Sequence, residues 1–181
     1  MDFQENIARI RDNLWLIPEK RFPDLVKDKD YTTSALYLIV CLVLSIPFMV
    51  AADVIEGIPP IDSILGIPLL LVAMLVLAYI FYGIQHVLLK LLGGKATFRE
   101  SVQVFIYGAT INLILGPLPF IGIVTALVML ANVVIGSAKI HKISLLRAIL
   151  ALLVIPIIIV VLLAVVLMLF LMPVGASITP I

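Results

Sequence analysis

The side chains able to do chemistry are few, and most lie inside apolar stretches. Asn112 and Asn132 stand in two successive hydrophobic runs. Gly108, Asn112 and Gly116 are spaced by four. Gly122, Thr125, Met129, Asn132, Gly136 and Lys139 recur at three and four. Each set shares one helix face. An amide between small residues in a lipid-borne helix bonds to a neighbouring helix, or it lines a solute path. Asp53 and Glu56 end an earlier apolar run and form a possible cation-binding pair. His86 and His141 approach one end of the chain's layout from different helices. Two imidazoles without a third ligand make a poor zinc site. Lys139, Lys142 and Arg147 form a basic face able to attract anionic lipid.

The patterns of catalysis are missing. There is no His-Glu-x-x-His zinc helix, no phosphate-cradling Lys-Ser/Thr loop and no Gly-x-Ser-x-Gly elbow. The sequence offers no catalytic residue, no metal ligand set and no cofactor, and reads as non-enzymatic. Cys41 is the single cysteine, which excludes an internal disulfide.

The elements that must position these residues are membrane spans. Hydrophobic residues make up 64% of the 181 and charged residues 13%. A soluble domain of this size needs more polar cover than that. The net charge of +1 gives no attraction to nucleic acid. The fold class is therefore all-α: a polytopic membrane protein with five transmembrane helices and an N-terminal amphipathic helix. Residues 1–30 form a cytosolic or interfacial segment, 31–172 the five-helix domain, and 173–181 a short tail outside.

Phe3, Ile7, Ile10, Leu14 and Ile17 make a helical stripe before Pro18. The stripe either lies on lipid headgroups or docks on the protein's own spans. Residues 27–30 read as a solvated linker. The first span, 35–55, is capped by Thr33 or Ser34 and kinked by Pro47. A non-helical loop over 57–66 precedes the second span, 68–92, with Pro68 at its first position. Thr97 and Glu100 form a capping box for the third span, 98–115. The turn Gly116-Pro-Leu-Pro119 leads to the fourth, 120–140. In that hairpin Asn112 comes level with Thr125, and Asn132 is left to find a partner on another span. Ser144 caps the fifth, 145–172, which Pro156 kinks near Leu152.

Charge sets the orientation. All twelve Lys and Arg residues precede span one, join spans two and three, or join spans four and five. With five spans those segments share one face, which the positive-inside rule makes cytosolic. The expected location is the cell membrane, multi-pass, with the N-terminus cytoplasmic and the C-terminus outside.

Three stretches together carry a family likeness: Leu16-Ile-Pro-Glu-Lys-Arg-Phe-Pro-Asp-Leu25; Gly93-Gly-Lys-Ala-Thr-Phe-Arg-Glu-Ser101 with Tyr107, Pro117 and Pro119; and Ala138-Lys-Ile-His-Lys-Ile-Ser-Leu-Leu-Arg-Ala148 leading to Pro156. The chain resembles the Yip family, membrane proteins named for interacting with Ypt/Rab GTPases, in a short prokaryotic or archaeal form. The resemblance implies five spans with a cytosolic N-terminus, and a role in membrane organisation or trafficking within hetero-oligomers; the partners expected for this chain are the lipid bilayer and a homo- or hetero-oligomer. The acidic Asp-Leu-Tyr-Gly-Pro signature of eukaryotic relatives has no clear counterpart here, so GTPase binding is not carried over. The leading expectation is an assembly or trafficking-type adaptor in contact with the bilayer. The alternative is a small solute or ion transporter with a polar path near Asn112 and Asn132.

Overall fold

A computed structural model describes residues 3–26, 31–158, 160–162, 164–165 and 168. The linker 27–30, the last part of the fifth expected span and the tail 173–181 lie outside the described residues. The described elements are helical. They are α1 (Phe3–Asn13), a 3-10 turn (Glu19–Arg21), α2 (Phe22–Leu25), α3 (Tyr31–Ile55), α4 (Pro60–Leu91), α5 (Phe98–Gly108), α6 (Thr110–Leu115), α7 (Ile121–His141) and α8 (Leu145–Ile149), which runs on through a π-helical turn, Leu150–Val154.

Four helices are long and apolar enough to cross a bilayer: Thr32–Ile55, Ile64–Leu91, Ile121–His141 and Leu145–Leu162. The faces they turn outward are apolar: Leu69, Val72, Leu77, Ile80, Phe81 and Leu91 of α4 are all exposed. Water would not tolerate so large an apolar surface, and lipid chains do.

The third expected span, 98–115, is not one helix. It is α5 and α6, separated at Ala109 and enclosed by the rest. Each residue from Ser101 to Ile111 is buried. The break has a local cause in competition for two carbonyls. Thr110 Oγ1 donates back to the Tyr107 carbonyl at 2.7 Å. Asn132 Nδ2 approaches the Gly108 carbonyl at 3.4 Å. Two further expectations are corrected at helix starts. α4 begins at Pro60, not Pro68, and converts most of the expected loop to helix. Pro60 fits the first turn because the amide it lacks would have had no helical partner. α3 begins at Tyr31, so Thr33 and Ser34 lie inside it. Ser34 instead accepts from Gln103 Nε2 at 3.0 Å, joining α3 to α5.

Other local expectations hold. Thr97 and Glu100 form the capping box at the start of α5. Ser144 caps α8 through the Arg147 amide. Pro156 cannot donate to the Leu152 carbonyl, and the π-helical turn contains Leu152 and ends at Val154, two residues before the proline. Gln85 Nε2 from α4 reaches that carbonyl at 3.5 Å.

α1 is shorter than the stripe that foretold it, ending at Asn13. Ile10 and Ile17 are buried in one cluster with Tyr37, Leu38, Val104 and Tyr107. Ile10, Leu14 and Ile17 of the stripe therefore pack on the bundle. Trp15 and Leu16, 62% and 53% exposed, are the large apolar side chains of this segment that face outward.

Candidate functional site

The most concentrated set of specific contacts lies along one face of α7. Asn132, Gly136 and Lys139, spaced by four and three, all engage the segment that follows α1. Ile17 precedes Pro18, a position that disfavours helix, and residues 14–18 lie outside any helix, so the amides and carbonyls of residues 15–17 are not paired within one. Asn132 takes them up. Its Oδ1 accepts from the Ile17 amide at 2.9 Å, and its Nδ2 donates to the Trp15 carbonyl at 2.9 Å. The side-chain amide thus acts as a strand neighbour would toward residues i and i+2. Asn132 is fully buried. The partner expected on a span outside the hairpin is not among these contacts: the third bond, to the Gly108 carbonyl at 3.4 Å, stays within the hairpin, and the two shorter bonds go to the N-terminal segment.

Gly136 leaves room for Phe22. A Cβ there would lie 2.5 Å from Phe22 Cε1 and 2.8 Å from Val104 Cγ1. Phe22 has no exposed surface, and burying such a ring is worth about 1.5–3 kcal/mol. One turn further on, Lys139 Nζ meets Glu19 Oε1 at 3.0 Å. Both side chains are well exposed, so this pair adds ~0–1 kcal/mol. A second attachment starts from Asn13. Its Nδ2 donates to Tyr37 Oη at 3.3 Å, and Tyr37 Oη lies 2.7 Å from Thr110 Oγ1. Thr110 gives its own proton to the Tyr107 carbonyl, so Tyr37 is the donor between the two hydroxyls. The Tyr37 and Tyr107 rings pack edge-on at 4.8 Å.

Asn112 has a different setting. Thr125 Oγ1 lies 3.0 Å from Asn112 Oδ1 and 3.1 Å from the Gly122 carbonyl. The hairpin closes tightly here, because a Cβ on Gly122 would collide with the Gly116 carbonyl. Gly108 lets α5 approach α7, with Val133 Cγ2 at 3.0 Å from where a Cβ would be. Asn112 and Gly116 also line a cavity of about 810 Å³ between α3, α4 and α6, together with Asp53 and Glu56. The structure thus brings the two carboxylates and Asn112 to one space, and leaves Asn132 outside it.

The histidines meet through a residue that spacing did not single out. His86 Nδ1 and His141 Nε2 each lie 2.8 Å from Ser101 Oγ, which itself donates to the Thr97 carbonyl at 3.1 Å. A hydroxyl has one proton and two lone pairs. With its proton on Thr97, Ser101 accepts from both imidazoles. Its lone pairs are filled and its surface is buried, which ties α4, α5 and α7 together. His141 Nδ1 finds no partner among the described residues, and it packs where a Cβ on Gly94 would collide. Ser101 was legible only as the residue four after Thr97, level with both histidines. No group of three or more His, Cys, Asp or Glu able to hold a metal occurs among the described residues.

Of the basic face, Lys139 is paired with Glu19, while Lys142 and Arg147 are exposed. Lys142 adopts a left-handed conformation (φ 55°, ψ 42°) that ends α7. A cleft of about 1100 Å³ separates the N-terminal segment from α7 and α8, lined by Pro18, Glu19, Glu100, Lys139 and Lys142 among others.

Comparison with known proteins adds one result. The family model described as the Yip1 domain matches residues 13–168 of the 181, from the Asn13 attachment to beyond the Pro156 turn. No curated protein and no solved structure matches the chain. The match covers the docked N-terminal segment and the helices that hold it, and the chain belongs to the Yip1 domain family.

Proposed function

We propose that this chain is a non-enzymatic Yip-type protein of the short prokaryotic or archaeal form, acting as an assembly adaptor in membrane organisation. The observation that carries the reading is the use made of Asn132. Its amide joins helices to the N-terminal segment, which is the work of assembly. A solute path would leave that amide facing water. Five crossings fit this reading. α5 and α6 together span about 27 Å at 1.5 Å per residue, near the ~30 Å hydrocarbon thickness. The Lys95 amide donates to the His141 carbonyl at 3.0 Å, so the hairpin starts and ends on one side. With the basic loops cytosolic, the N-terminus is cytoplasmic and the C-terminus outside, in the cell membrane. The bare face of α4 suits a homo- or hetero-oligomer, and exposed Lys142 and Arg147 suit anionic lipid at about 1 kcal/mol each.

The test is reconstitution of the full chain in vesicles containing anionic lipid. The expected result is a protein-dependent change in vesicle size with an entrapped solute retained. A solute flux that disappears on Asn112→Leu would replace this reading with a transporter. The presence of Asn112 in the cavity is the observation that favours that second reading.

A further inference from the structure

The cavity between α3, α4 and α6 has a polarity that neither helix packing nor a water path accounts for. Its walls are apolar, formed by Leu42, Met49, Ile67, Leu70, Met74 and Leu113. Asp53 and Glu56 stand at one end. No Lys or Arg lines it, and no ion-pair partner of either carboxylate occurs among the described residues. The side-chain oxygens of the two other polar residues are engaged. Ser45 donates to the Leu42 carbonyl at 2.7 Å, and Asn112 Oδ1 accepts from Thr125. Along α3 the distance from Leu42 to Glu56 is about 21 Å at 1.5 Å per residue. One leaflet of hydrocarbon is about 15 Å deep. The space is thus an apolar trough somewhat longer than one leaflet, with negative charge at its mouth.

We infer that this cavity binds an amphiphile with a long alkyl chain and a protonated amine headgroup, the chain along Ile67, Leu70 and Met74 and the amine between Asp53 and Glu56. A free metal cation is a poorer fit, because the side-chain oxygens below the carboxylates, Ser45 Oγ and Asn112 Oδ1, are already in hydrogen bonds and the remaining walls are apolar. An anionic headgroup would face like charge at the mouth. A cavity of about 810 Å³ lies within the range of small-ligand sites.

The test uses the full chain in phosphatidylcholine nanodiscs with three photoreactive probes of one chain length, ending in an amine, an alcohol and a carboxylate. The amine is expected to label peptides from 64–74 and 112–117 about fivefold more than the alcohol, the effect of one unit-charge contact in a watery setting. The carboxylate is expected to label least. The double variant Asp53→Asn, Glu56→Gln should level the three probes while keeping the labelling by the alcohol. Gly66→Phe should lower all three. Gly66 lines the cavity, a Cβ there meets nothing within 4 Å, and loss of a helical glycine favours folding. Equal labelling by all three probes in the unaltered chain would show ordinary boundary lipid and overturn the inference. An amine preference that survives the double variant, or labelling indifferent to Gly66→Phe, would also overturn it.

Discussion

Asn132→Leu should release the N-terminal segment from the bundle without unfolding the bundle. The substitution keeps the branched shape and the number of side-chain heavy atoms, though the methyl groups are bulkier, and removes three hydrogen bonds, to the Ile17 amide, the Trp15 carbonyl and the Gly108 carbonyl. The three losses differ in cost. Ile17 is 3% exposed, so its amide is stranded without water, and a stranded buried donor costs about 1–3 kcal/mol. Trp15 is exposed, and its carbonyl can turn to solvent or headgroups. The Gly108 contact is long, and that carbonyl can return to helical bonding. The Ile17 term dominates, at about 2 kcal/mol, which is roughly a 30-fold rise in the undocked population. Hydrogen exchange of the full chain in nanodiscs reads this directly. Peptides covering 14–26 should exchange faster by about that factor, while those covering α5 change little. Asn112→Leu is the matched control, since it removes one bond to Thr125 and none to the segment. Unchanged exchange over 14–26 in Asn132→Leu, or an equal change in both variants, would refute the reasoning.

Three other outcomes follow from the same geometry. Gly136→Val forces Phe22 out of its site, since even a Cβ would lie 2.5 Å from the ring; a loss of about 1–3 kcal/mol is expected, read as faster proteolysis after Lys20 or Arg21 with the rest of the chain resistant. Ser101→Ala leaves two imidazole N–H groups without an acceptor and should lower the melting temperature by an amount matching about 1–3 kcal/mol, whereas an unchanged melt would show that the histidines rearrange freely. Gln85→Leu removes a long 3.5 Å bond to Leu152 and also a buried Oε1 that has no partner among the described residues; the two nearly cancel, so a change under about 1 kcal/mol is expected, and a large destabilisation would show that this contact holds the Pro156 turn together.

Much of the layout was legible because it rests on local rules. The Thr97 capping box, the Ser144 cap and the Asn112–Thr125 level follow from spacing along one or two helices. The face on α7 was also legible as Asn132, Gly136 and Lys139. What covers it was not. Its partners are the backbone of residues 15–17 and the Phe22 ring, and sequence periodicity says nothing of contacts made by extended chain 115 positions away. The N-terminal stripe left two surfaces open, lipid or protein, because an apolar face fits either; Ile10 and Ile17 are buried against protein. The start of α4 differs because two proline signals compete, the pair Pro59-Pro60 and the single Pro68, and either can open a helix. The break at Ala109 depends on Thr110 and Asn132 competing for carbonyls, which no helix propensity reports. Ser101 was passed over because its role exists only when His86 and His141 converge on it.

Five crossings, with α5 and α6 counted as one, is the claim on which orientation, location and the adaptor reading all stand. Cys41 is the single cysteine, so a Cys41→Ser background allows one thiol at a time to be placed by Ile58→Cys, Leu118→Cys, Lys95→Cys or Lys142→Cys. In sealed vesicles of known orientation, an impermeant thiol reagent should reach positions 58 and 118 from the outer face, and 95 and 142 from the cytosolic face. Labelling of positions 58 and 118 from opposite faces would contradict it.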